Sequence, residues 1–177
     1  MSDSKDEIES LRQELARSRA ETRAAFENRA LVYAHLLREL VAEVGPDRAA
    51  EIMSRAIKKR GLEVGAKYRA AGEAGDLDEV ARIFCEGSPC AGTMFEPGVE
   101  ERDGDRLVLR MTACPLLDAW RSAGMDPAAA DELCAISAAV DEGTFEAAGL
   151  ELTFLDRLGR PGAKACLLEL VVPAEKA

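Results

Sequence analysis

The chain has 177 residues, enough for one domain with a hydrophobic core. Its formal net charge of −10 is opposite to the basic surface that a phosphate-backbone binder needs, so nucleic acid is not an expected partner. No apolar run approaches the ~20 residues of a bilayer span, and the charged opening MSDSKDEIES lacks the apolar stretch of a signal peptide, so a cytoplasmic protein off the membrane is expected.

Residues 4–44 contain no Gly or Pro and read as helix. Ile8, Leu11 and Leu15 follow a 3-4 spacing, but Ser18 and Thr22 then occupy the stripe, which is short for a coiled coil. From Phe26 the pattern strengthens through Ala30, Tyr33, Leu37, Leu40, Val41 and Val44. Residues 1–25 are therefore expected to be a helical extension, and 26–177 a single domain. The extension's stripe needs cover, which predicts a homo-oligomer packed through this helix.

GPD at 45–47 ends the first helix, and a second is expected from an Asp47 cap to Arg60. Asp76 and Glu79 form a variant capping box for a third, ending near Phe84. The period then changes to two. GVEERDGDRLVLRMTA is a hairpin turning at Asp103-Gly104, with Leu107, Leu109 and Met111 on one face and Val108, Arg110 and Thr112 on the other. PLLDAWRSAG is a helix closed by Gly124, and a further helix is predicted from an Asp126 cap, with Pro127 at its first position and Gly143 past its end. The tail is a second hairpin turning at LGRPG, with Leu150, Leu152 and Phe154 alternating, as do Cys166, Leu168, Leu170 and Val172. The fold class is α+β: N-terminal helices followed by ββααββ, an antiparallel sheet of two hairpins covered by helices. Residues 85–98 are the least regular stretch and the expected site-forming loop.

Five cysteines and a single histidine, His35, leave free thiols, a metal site or a catalytic thiol as the options. Cys114 ends a strand and precedes Pro115, which places it at a helix start. Amide N–H groups and the helix dipole there favour thiolate. A small buried residue closing a strand–helix corner is the competing reading. Cys134 shares a helix face with Asp141, seven residues and roughly 10 Å away, so the two can line one pocket; core packing is the alternative. Cys85 and Cys90 join Cys114 and Cys134 as candidate ligands for a zinc or iron ion, although paired short elements with two to four residues between the cysteines are the usual zinc pattern. Cys166 reads as core. Asp118, one turn beyond Cys114, is a candidate base, or half of a surface pair with Arg121.

TACPLLDAWRSAG followed by ADELCAISAAVDEG resembles the signature region of the L-2-amino-thiazoline-4-carboxylic acid hydrolase-like family, and YAHLLRELVAEVGPDRAAEIMSRAIKKRG is similar to its N-terminal helical half. The matching positions are Cys114, Pro115, Gly124, Cys134 and Asp141. Where the family pattern leads to a further cysteine, this chain carries Ser137 and Ala138. The resemblance implies ring opening of a small cyclic amidine carboxylate, with Cys114, Cys134 and Asp141 catalytic and Arg110 or Arg121 pairing the substrate carboxylate. The competing expectation is a small-molecule or metal-binding sensory domain similar to the four-vinyl-reductase type, binding without turnover.

Overall fold

A computed structural model describes residues 3–174, with side chains described from Lys5 onward. The chain is α+β, with helices α1 (Asp3–Val44), α2 (Pro46–Gly65), α3 (Arg69–Glu73) and α4 (Leu77–Glu86) preceding strands β1 (Pro97–Asp103) and β2 (Arg106–Met111). Helices α5 (Pro115–Ser122), α6 (Pro127–Ser137) and α7 (Ala139–Ala147) follow, then strands β3 (Glu151–Asp156) and β4 (Cys166–Val171).

The two hairpins share one antiparallel sheet of order β1-β2-β4-β3, joined along β2 and β4, where Leu107 pairs with Leu170 and Leu109 with Leu168. All four leucines are fully buried against Tyr68, Leu77, Val80 and Phe145. Val108 is buried too, although the alternation assigns it to the polar face. It lies in register with Glu101 and Glu169, and both carboxylates pair with Arg106.

The second core cluster is helical. Ala30, Ala34 and Leu37 of α1 meet Met53 and Ile57 of α2, Trp120 of α5 and Leu133 of α6. Buried Trp120 donates its indole N–H to Ala30 O at 2.8 Å, tying α5 to α1. Val44, expected on the core face, is exposed, and Ala34 takes a core place instead.

Local chemistry sets the helix ends. Asp76 accepts from Glu79 N at 3.0 Å and Asp126 from Ala128 N at 2.9 Å, so both expected caps form. Gly124, at φ +74°, ends α5 with a bond from Met125 N to Trp120 O. Helix α2 begins one residue earlier than expected and continues to Gly65; Gly45, not Asp47, precedes it.

The helix expected after Asp126 differs more. It divides at Ala138 into α6 and α7, and Gly143 lies inside α7 rather than beyond it. Close packing on α2 accounts for the glycine. A Cβ on Gly143 would come within 2.2 Å of Lys58 O, and one on Gly61 within 2.2 Å of Val140 O. Thr144 donates to Val140 O at 2.8 Å and approaches Gly61 O at 3.3 Å. Gly143 is a contact glycine, not a helix stop.

Candidate functional site

A cavity of about 300 Å³ lies between the sheet and the helical cluster. Its walls come from distant parts of the chain: Phe26 and Arg29 of α1, Tyr68 after α2, the 87–95 loop, the start of α5, the α6–α7 junction and the ends of β3 and β4. That loop crosses from α4 to β1 with Cys90 and Ala91 at φ +55° and +53°, a left-handed backbone unusual without glycine.

Cys114, Cys134 and Asp141 all line this one cavity. Cys114 adopts an extended backbone before Pro115, the first residue of α5. Its thiol nevertheless titrates high, pushed up to about 11. Burial raises it, while the N–H groups of Leu117 and Leu116 pull the other way and lose. Desolvation therefore outweighs the helix start in setting this thiol, against the expectation of a stabilised thiolate.

Cys134 is also raised by burial, opposed by Gly159 N–H and by the charge of Arg157. The contact with Gly159 is tight: a Cβ there would lie 2.6 Å from Cys134 Cβ. Only glycine lets the β3–β4 connection approach so closely. Arg157 lines the same wall and pairs with Asp131 at 3.2 Å.

Asp141 stands in the first turn of α7. Protein surrounds its carboxyl, and the surface it keeps faces the cavity. Burial, then the neighbouring Glu142, push its pKa up to about 7. Among the described residues it makes no side-chain hydrogen bond or ion pair. Two more polar groups line the cavity. The Ser137 hydroxyl is buried without a partner, and Tyr68 has its phenol raised by burial and by the charges of Asp141 and Cys85.

Two cations on the wall are free of ion pairs among the described residues. Arg29 lies over the Phe26 ring, 4.6 Å from its centre, and Lys67 over the Tyr68 ring at 5.0 Å. Lys67 Nζ also occupies the space beside Gly87, 3.2 Å from where a Cβ would stand.

The remaining candidates lie off the cavity. Arg110 of the inner strand β2 pairs with Glu100 of β1 at 3.4 Å. Asp118 faces Arg23 at 3.9 Å, and Arg121 donates to Leu158 O at 3.2 Å. Cys85 lines a separate shallow pocket with Glu96, and Cys90 lines neither. Among the described residues no group of three or more His, Cys, Asp or Glu side chains could hold a metal ion, so a zinc or iron ion has no donor set at the cysteines.

The sequence reading missed Arg29, Lys67, Tyr68 and Arg157, and took Cys166 as core. Cys166 is buried, accepts from Leu158 N at 3.3 Å and lines the cavity, with its thiol pushed up to about 12 by burial. Its alternation along β4 gave no signal of the cavity. Arg157, directly after the strand run ELTFLD, offered a positional one.

Among the described residues no helix is long and apolar enough to cross a membrane. Neither a curated protein nor a solved structure matches the chain. Residues 23–169 match the family described as L-2-amino-thiazoline-4-carboxylic acid hydrolase, a span that includes every cavity residue named above. The chain belongs to the L-2-amino-thiazoline-4-carboxylic acid hydrolase family.

Proposed function

We propose that the chain opens the ring of a small cyclic amidine carboxylate by adding water, the reaction its family is named for, in the cavity between sheet and helices. The observation that carries the reading is Asp141: a buried carboxyl on the wall, without a partner, titrating at about 7. Such a group accepts and returns a proton near neutral pH.

In this reading ionised Asp141 takes a proton from a water molecule as its oxygen bonds to the ring C=N carbon. The C=N π pair moves to nitrogen, which takes a proton from solvent. The new hydroxyl then releases its proton to solvent as the tetrahedral carbon collapses to a carbonyl and breaks its bond to the departing ring atom, and Asp141 returns its proton to that atom. One water is gained and the Asp141 carboxylate is regenerated. Lys67 and Arg29 supply free positive charge for the substrate carboxylate, replacing Arg110 and Arg121 in that role. In this reading Ser137 and the neutral thiols of Cys114 and Cys134, which line the same cavity, contact the ring. The cavity volume, about 300 Å³, suits a ligand of one small ring.

The test is incubation with L-2-amino-thiazoline-4-carboxylate, with mass spectrometry for a product heavier by one water. Product with the wild type and its loss in Asp141→Asn support the reading; equal turnover by both would remove it. A second reading, binding without turnover in the manner of a four-vinyl-reductase-type sensor, is favoured by the three cavity thiols being held neutral. Saturable binding with no product would select it.

A further inference from the structure

Helix α1 has two apolar faces. One buries Ala30, Ala34 and Leu37 in the domain. The other is unpartnered and follows a heptad in which Ile8, Leu11 and Leu15 take alternating a and d positions. The same count passes Ser18, Thr22, Ala25 and Arg29 and returns to apolar side chains at Val32 and Leu36. These five apolar residues are 50%, 58%, 52%, 44% and 49% exposed. The stripe that lapses at Ser18 thus resumes in register at Val32 and Leu36, while Arg29, just before them, turns to the cavity wall.

We infer that this seam takes a second copy of the chain as a parallel two-stranded coiled coil. The charges choose the occupant and its direction. Flanking g positions are Glu7, Glu14 and Glu21; flanking e positions are Lys5, Arg12 and Arg19. In a parallel pair each g side chain meets the next e of the other helix, so Glu7 faces Arg12 and Glu14 faces Arg19 of the second copy. An antiparallel pair sets e against e and g against g, which juxtaposes like charges. Glu7, Glu14 and Arg19 make no ion pair within their own chain among the described residues, and the Arg12–Glu9 contact is long, 3.8 Å between exposed groups. The polar middle layers cost stability and fix the alignment. The domain occupies the face centred on Ala30 and Leu37, about a third of a turn from the seam; it packs on Phe26 and Tyr33 at e positions and leaves the flank of residues 5–25 to the second helix.

The test is sedimentation of the full chain at micromolar to tens of micromolar concentration. The expected result is twice the mass of one chain. Reversing the g charges with Glu7→Arg and Glu14→Arg raises the dissociation constant by at least about tenfold, equivalent to about 1.4 kcal/mol. Adding Arg12→Glu and Arg19→Glu to that chain restores the dimer. Under oxidation Leu11→Cys gives a covalent dimer that the parent does not, because like positions meet only in a parallel pair. Circular dichroism checks that each variant keeps its helix content. A parent that stays monomeric overturns the inference, as does a dimer indifferent to the charge reversal. Crosslinking of Leu11→Cys only to Leu15→Cys overturns the parallel arrangement.

Discussion

In the proposed reaction Asp141 concentrates the chemistry in one side chain. Its carboxyl ordinarily titrates at 3.8 and is raised to about 7 in the fold. A base must be ionised to act, so kcat/KM should rise with pH and level off above about 7. Asp141→Asn should lower kcat by about 10²- to 10⁴-fold, the usual contribution of a positioned base. The same group loads stability in the opposite direction. The folded chain holds an extra proton between 3.8 and about 7, so this contribution is fully present below 3.8 and is lost as pH rises through about 7. Urea unfolding should therefore find Asp141→Asn more stable than wild type at pH 8, by roughly 1–3 kcal/mol, with the advantage fading toward pH 5. A variant equally stable at both pH values would show that the carboxyl is solvated. For Cys114, a rise from 9.0 to about 11 lowers the thiolate fraction about a hundredfold at neutral pH. Iodoacetamide labelling at Cys114 should be slower than in a denatured control by about that factor. The sequence placed Cys114 at the helix start. It could not show how much protein would close over the sulfur, and that decides the titration.

Helix ends were the most legible part of the chain, because a cap is a local event between residues a few positions apart. Asp76, Asp126 and Gly124 each do what their spacing implied. Gly143 shows where local reading stops: glycine after a helical run signals a stop unless another backbone needs its missing side chain. Here α2 does, through Gly61 and Gly65, whose added Cβ atoms would lie 2.2 Å from Val140 O and 2.3 Å from Thr144 O. Gly143→Ala should cost about 1–3 kcal/mol through overpacking, read as a lower melting temperature. Gly159→Ala tests a different contact, because its Cβ would press on Cys134 rather than on backbone. It should disturb ligand binding more than the fold.

Across the molecule, the sheet and the helical cluster were foreseeable from periodicity, and a pocket shared by Cys134 and Asp141 was expected, while its cationic wall was not. Lys67 and Arg29 lie on helical segments that look like ordinary charged surface, and only the docking of α4, β2 and α7 turns their environment into a site wall. Ligand binding to the folded state alone should raise stability by about 2.7 kcal/mol at a hundred times the dissociation constant. L-2-amino-thiazoline-4-carboxylate should therefore raise the melting temperature, and Lys67→Met or Arg29→Met should diminish the shift. A shift unchanged in both variants would place the carboxylate elsewhere.

The wall that begins with Phe26 closes only with Cys166, at the start of β4. During synthesis the helical half can collapse early around its own apolar cluster, but the pocket has no floor until the last strand leaves the ribosome. Until then the apolar edges of Leu107 and Leu109, which pair with β4 in the finished sheet, stay open to misassociation. The same long-range closure makes the pocket sensitive to damage at the far end of the chain. A nick or truncation before β4 should abolish ligand binding even if much of the helical signal survives.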